Sequence, residues 1–591
     1  MPRPTLSADA RAAALCAALP LVAAAAALPG AEAGIIDDFS YVHMARTLAD
    51  TGRFAYDGWS TAMVGAQAWW AAAWVRLCGF SFGVVRLSVL PLACAACSLV
   101  YALARRARLP REDAIFVAAL TGLSTPFVQL VPTFMTDLPA LCLLLACLYG
   151  FARAAESAAD AVFEYGVPDG KAAPAAIGWL LFGTACGIVG GTIRQSVWLA
   201  VPTAAAATLV LPRIPSRVRA AAAACGLAGA AALVAGMRWF ARQPYALPTV
   251  LPSFAELVDP VAIGGPALQI VSESVLKLLP AALLCLPWIA AECLAAARGR
   301  LGACVAAAAL LVAAVVGGTV TGRCEPLLAW AGGGWRPDGG GLHDTGVGLV
   351  RAAVILAIVA VKVAIAAAAA RGLAHGGWRR LVTLPPAVLL PLVCLVPYAA
   401  ALALVSRTST GIFPRYYLPI LPPLAVGMLV LARSAAPHLP AFAGRRSLAG
   451  WLLVAFFAVR GVAIVHDEFA DTRARLAAIA HLRGNGVPRE RIASKWTIDA
   501  WEQVEREGHI NDPRIRVPPD AYRPDVPDDY PDPKFARRFP ALDPEWEVVP
   551  RPAAADPSPD GEPRFPFTAW RRPPFRREVV IVHRGRAEPT P

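Results

Sequence analysis

A chain of 591 residues that is 57% hydrophobic and 16% charged falls well below the roughly 25% charge of a soluble domain, which excludes an ordinary soluble multidomain protein. Apolar runs long enough to cross a bilayer recur along it instead. The net charge of +13 would suit a nucleic-acid binder, yet much of the excess lies in short loops between apolar runs, where it sets topology; no nucleic-acid partner is expected.

The first apolar stretch, "ALCAALPLVAAAAALPG", is read as a retained helix rather than a cleaved signal, because it leads straight into an aspartate pair. Candidate membrane spans follow at 9–30, 83–104, 113–131, 137–153, 175–192, 195–212, 217–240, 275–297, 301–320, 347–370, 381–404, 416–433 and 448–465. The spacing predicts a mainly α polytopic bundle of about thirteen transmembrane helices. Five arginine-rich loops ("ARRARLPRED", "LPRIPSRVRA", "ARGRLG", "RGLAHGGWRR" and "AFAGRRS") fall on one side, which the positive-inside rule makes cytoplasmic. The N-terminus is then cytoplasmic, and residues 31–82, 132–136, 241–274, 321–346, 405–415 and 466–591 lie outside. Nearly all of the thirteen cysteines sit in apolar runs and read as core residues. Cys78 and Cys324 share the outer compartment, and a bridge between them is left open.

Two segments are expected: residues 1–465, a membrane domain whose outer loop 31–82 carries amphipathic helices, and 466–591, a small partly irregular α/β domain. In the tail, "HDEFADTRARLAAIAHLRGNGVPRERIASKW" predicts an amphipathic helix, a turn and a strand start. "EVVIVHR" predicts a strand. The proline-rich "PPDAYRPDVPDDYPDPKF" predicts an irregular stretch.

Polar groups at the outer ends of spans are the candidates for chemistry. Asp37 and Asp38 open the amphipathic run "FSYVHMARTLADTG", where a helix dipole favours negative charge. They are either solvated loop carboxylates or functional ones, since carboxylates at the edge of hydrocarbon are costly. Asp137 begins the span "DLPALCLLL" and reads as a cap, an active carboxylate or both. Arg194 and Gln195 interrupt an apolar stretch; the arginine either marks a short turn or meets a phosphate. Arg407, Arg415, Tyr416 and Tyr417 stand at the last outer loop, as interfacial anchors or as contacts for a lipid phosphate or its sugar. The Gly- and Trp-rich loop 321–346 is either an acceptor-side lid or a plain linker. No Gly-rich phosphate loop, HExxH or GxSxG motif is present.

Taken together, "DDFSYVHMARTLADTG", "PTFMTDLPALCLLL", "GIVGGTIRQSVWLAVP" and "PRYYLPILPPLAVGML" resemble, in order and spacing, motifs of GT-C membrane glycosyltransferases. The similarity is to the branch related to protein O-mannosyltransferases and lipid A aminoarabinose transferases, over residues 9–465. The resemblance implies a multi-pass inner or plasma membrane enzyme that moves a sugar from a polyprenyl-phosphate donor to a glycan, lipid or protein acceptor at the outer face, usually with inversion. It implies Asp37 or Asp38 as general base, Asp137 as second acid, and Arg194, Arg407 and Arg415 facing the donor phosphate. Tyr41, His43, Gln195 and Tyr416 become candidate substrate contacts. It leaves a divalent metal ion open, since some relatives use one and others do not; no other cofactor is implied. The chemistry is coherent: the leaving phosphate needs charge stabilisation, the acceptor hydroxyl needs a base, and the membrane supplies proximity. The alternative is a multi-pass transporter or flippase of lipid-linked sugars, which would show paired broken helices in two similar halves. No such repeat is evident in the sequence.

Overall fold

The computed structural model describes residues 7–165, 172–212, 214–248, 281, 384–408, 413–435, 445–523, 533–552, 563–571 and 575–583. The predicted spans 301–320 and 347–370, nearly all of 275–297, the loop 321–346 with Cys324, the basic loops at 297–302 and 371–380, and most of that at 441–447 lie outside the described residues. The chain divides into two compact units, one formed by 1–267, 385–426 and 451–591 and the other by 268–384 and 427–450. The site described below lies wholly in the first.

Seven described helices are long and apolar enough to cross a membrane, and two further apolar helical segments are shorter. The protein is a mainly α multi-pass membrane protein with a small C-terminal sheet. Helix α1 (Ala8–Ala26) starts where the Ser7 hydroxyl accepts from the Ala10 N–H at 3.2 Å. The segment that follows forms α2 (Asp38–Thr51) and α3 (Gly65–Cys78), then α4 (Phe82–Leu87) and α5 (Leu90–Arg106). The predicted span 113–131 is broken into α6 (Arg111–Gly122) and α7 (Thr125–Leu130). Ser124 and Pro126 supply the reason: a capping residue type and a first-turn proline restart the helix in mid-span.

Helix α8 (Asp137–Tyr165) is buried along most of its membrane window, whereas α11 (Ser216–Phe240) is largely exposed, so α8 forms the centre of the unit. Against it lie α9 (Ala172–Ile193), α10 (Ala200–Val210) and α12 (Pro386–Thr408). Between α9 and α10 the chain makes a 3-10 turn, Gln195–Leu199, so the predicted span 195–212 is a turn and a short helix. Trp198 wedges that turn in place. A Cβ on Gly191 would lie 2.0 Å from its ring and one on Gly236 2.1 Å, so only glycine admits the indole, whose Nε1 donates to the Ile188 carbonyl at 2.9 Å. A second 3-10 turn, Pro414–Tyr417, precedes α13 (Leu421–Ala435).

Helix α14 runs from Arg445 to Gly484, 40 residues that pass unbroken through positions 465 and 466. The last span and the amphipathic tail helix expected from the sequence are therefore one continuous helix. Beyond it come β1 (Ile492–Ala493), α15 (Trp496–Glu507), α16 (Pro533–Arg538), β2 (Trp546–Pro552), β3 (Arg564–Thr568) and β4 (Arg576–His583). The sheet order is β1-β2-β4-β3, with β1 parallel to β2 and the other pairs antiparallel; Val548 faces Ile581 in register. One face packs Val548, Val579 and Ile581 on Ala474, Ala478 and Leu482, a helical stripe of α14.

Candidate active site

The two adjacent aspartates stand in different environments. Asp38 is fully buried. One carboxylate oxygen accepts from the Ile35 N–H at 2.8 Å; the other accepts from Arg86 Nε at 3.0 Å and the Phe134 N–H at 3.3 Å. Arg86, itself buried on α4, also donates from Nη1 to the Ala31 carbonyl at 2.8 Å and from Nη2 to the Ala33 carbonyl at 2.6 Å. Every strong polar group in this knot has a partner, as burial demands. Asp38 thus ties the loop before α2, α4 and the turn before α8 into one piece. Because Phe134 stands just before Asp137, the knot also fixes the spacing of Asp37 and Asp137.

Asp37 faces the other way, with a quarter of its side chain exposed. Its Oδ2 accepts from Arg415 Nη2 at 2.9 Å and its Oδ1 from Trp59 Nε1 at 3.2 Å. Asp137, at the start of α8, accepts on Oδ1 from Arg194 Nη1, while its Oδ2 lies 3.9 Å from Arg415 Nε. Among the described residues, neither of those last two atoms has a hydrogen-bond partner, and both are buried. Arg194 also reaches Thr136 Oγ1 at 3.5 Å. The two guanidinium groups flank the ring of Tyr416, at 4.6 Å for Arg194 and 5.4 Å for Arg415. Tyr398 on α12 donates to the Tyr416 carbonyl at 2.8 Å and so pins the second 3-10 turn.

Asp37, Asp137, Arg194, Arg415 and Tyr416 therefore converge, from four separated stretches of chain. Tyr41 is buried beside them; burial, followed by the charge of Asp37, pushes its hydroxyl well above the usual phenol range. Gln195 turns away and donates to the Thr61 carbonyl at 3.0 Å, holding the loop before α3 against the first 3-10 turn. Arg407 lies at the end of α12, and its side chain is outside the described residues. Among the described residues no three His, Cys, Asp or Glu side chains are placed to hold a metal ion.

His43 joins a different cluster. It sits edge-on to Trp501, with its Nδ1 3.8 Å from Asp57 Oδ2. Burial, then the neighbouring Arg46, holds its imidazole down at about 4. Asp57, buried in the turn after α2, is pushed up to about 6 by burial, against hydrogen bonds from Ser40 Oγ and the Trp59 N–H. A carboxyl raised on folding contributes stability that is complete below its unfolded value and lost as pH rises through its folded value. Asp57→Asn removes that dependence. Its stability relative to wild type is expected to be about 2–3 kcal/mol more favourable at pH 8 than at pH 4, read as a shift in melting temperature by thermal unfolding in detergent.

A cleft opens from the charged cluster. Asp137, Arg194 and Arg415 stand among its lining, together with Leu141, Leu144 and Leu148 along α8 and Pro391, Cys394 and Leu395 along α12. Its empty volume is about 590 Å³, open space at the mouth included. From Asp137 to Leu148 the wall descends about 16 Å along the helix, from charge into hydrocarbon-like surface.

Arg86, Trp59 and Tyr398 are site-building residues that the sequence reading passed over. Arg86 had a readable signal, an arginine inside the apolar run "FGVVRLSVL" that needs a buried partner.

No protein-family model matches the chain, and no curated protein matches it. Among solved structures it is similar to ArnT from Cupriavidus metallidurans in the apo state, at 14% identity and a TM-score of 0.43 over 98% of both chains. It is also similar to ArnT of that organism bound to undecaprenyl phosphate, at 14% identity and a TM-score of 0.41, covering 98% of this chain and 99% of the other. A third similar structure is the Archaeoglobus fulgidus oligosaccharyltransferase in the apo form, at 13% identity and a TM-score of 0.41, covering 81% of this chain and 58% of that one.

Proposed function

We propose that the chain is an integral-membrane glycosyltransferase of the GT-C class, moving a sugar from a polyprenyl-phosphate donor to an acceptor hydroxyl at the extracytoplasmic face with inversion. One observation carries the reading: a cleft whose charged end holds two arginines and whose shaft is apolar. A lipid phosphate has that same division. Its phosphate would sit against Arg194 and Arg415, whose planar forks suit phosphate oxygens, and its isoprene units against the leucines of α8. Arg415 Nε and Asp137 Oδ2, 3.9 Å apart and without a hydrogen bond among the described residues, leave room in this reading for the phosphate to take up the arginine's donor.

In this reading Asp37, the accessible member of the pair, takes the proton from the acceptor hydroxyl. The acceptor oxygen bonds to the anomeric carbon on the face opposite the phosphate, and the carbon–oxygen bond to the phosphate breaks. The electron pair stays on the phosphate oxygen, where the arginines stabilise it without a proton donor. Asp137 holds Arg194 in place. The acceptor's identity and the sugar are open to a panel of radiolabelled polyprenyl-phosphate sugars incubated with purified protein. Wild type is expected to give a transferred product with at least one donor. Arg415→Ala should lower kcat/KM by about a hundredfold or more, with Arg194→Lys affected in the same direction because the ammonium loses the fork. Wild-type activity that survives both substitutions would remove the arginines from the donor site. Vesicle uptake of the lipid-linked sugar without product would favour transport.

A further inference from the structure

Asp37 is held by two donors on its two oxygens, Arg415 from the membrane side and Trp59 from the outer loop. A carboxylate turns easily about its last torsion, so a second donor is what fixes the plane of its lone pairs. Trp59 is in turn seated by the C-terminal segment. The Ile510 N–H donates to the Asp57 carbonyl at 2.8 Å, and Gly58, at φ +77°, lies so close that a Cβ there would stand 2.6 Å from the Ile510 carbonyl oxygen. The Trp59 ring packs 5.1 Å from Trp496, which packs 4.5 Å from Phe539, and Arg538 lies over both indoles, at 5.9 Å from Trp59 and 4.9 Å from Trp496. Phe39, next to Asp38 on α2, belongs to the same buried cluster as Ile510 and Phe539.

We propose that Trp59 is a positioning residue for Asp37, and that the C-terminal segment acts on the reaction through it, via Trp496, Ile510 and Phe539. The catalytic consequence rests on the reading of Asp37 as the base; the coupling itself does not. The segment beyond the membrane is then the back wall of the active site, independent of any acceptor it binds.

Carbodiimide labelling at one fixed pH, read by peptide mass, tests the coupling without any substrate. Trp59→Phe keeps the ring and deletes the donor; Trp496→Leu removes the seat from the C-terminal side. Both are expected to raise labelling of Asp37 severalfold while buried Asp57 and Asp499, the latter an α15 carboxylate that accepts from Arg489 at 2.9 Å, stay at wild-type levels. Trp546→Phe, whose ring packs edge-on to His583 in the sheet, should leave Asp37 unchanged. Wild-type labelling of Asp37 in Trp59→Phe overturns the proposal, as does a rise shared by Asp57 and Asp499, which would mean general loosening. With a donor from the panel above, Trp59→Phe should lose about tenfold in kcat with the donor KM unchanged. A wild type without transfer would refute the enzyme reading and leave the labelling result standing.

Discussion

Asp38→Asn is expected to cost the protein its fold, whereas Asp37→Asn should fold normally and lose turnover. The two residues are adjacent and chemically identical, so the contrast isolates environment. Asparagine at 38 would leave Arg86 charged and buried beside a neutral partner. Breaking a buried pair in this way costs about 3–5 kcal/mol, a large share of the roughly 5–15 kcal/mol that holds a domain together. Low yield, a lower melting temperature in detergent and earlier proteolysis would register it. Arg86→Met with Asp38→Leu should recover part of the loss, because removing both charges removes the stranded one. Asp37→Asn keeps the shape of a partly exposed group and frees one hydrogen bond of Arg415. Its expected signature is an unchanged melting temperature with transfer reduced about 10²–10⁴-fold, the range of a lost general base. Equal activity losses with equal stability losses at both positions would sink this division of roles.

Gly191→Ala is the second substitution expected to act strongly. A methyl group there would overlap the Trp198 ring outright, at 2.0 Å. Overpacking of a tight contact costs about 1–3 kcal/mol and occasionally more, and here the displaced ring anchors the turn that begins at Arg194. Both stability and transfer should fall, and the donor KM should rise because the guanidinium leaves its place beside Tyr416. Gly178→Ala, on the same helix with open space around it, provides the control. It should be neutral or stabilise by about 1 kcal/mol, since alanine favours helix. If both glycines tolerate alanine equally, Trp198 is not the wedge described.

The features legible in the sequence were those with local causes. The aspartate pair announced the start of α2, and hydropathy located the seven long described spans. Asp37 and Tyr41 lie four residues apart, on one face of a helix, and both reach the cluster; His43, six residues from Asp37, points elsewhere by the same periodicity. The break between α6 and α7 could also have been read, since Ser124 and Pro126 are explicit restart signals that average hydropathy overlooks. What could not be read was tertiary. Nothing near Arg86 says that its carboxylate lies 48 residues away, and nothing near Trp59 says that its indole reaches back 22 residues to Asp37. The distinction between the two aspartates depends on those long-range partners, so local pattern gave the pair but could not separate its members.

The unbroken α14 has a mechanical consequence. Forty residues of helix extend about 60 Å, twice the roughly 30 Å of hydrocarbon they have to cross. The C-terminal half is a mast continuous with the membrane span, and the sheet is bolted to its side through Ala474, Ala478 and Leu482. No swivel lies between the anchor and the sheet along this route, so torque on the one is delivered to the other. Cutting the chain at 465 would saw through the mast, and the severed C-terminal piece would lose its bearing on the bilayer.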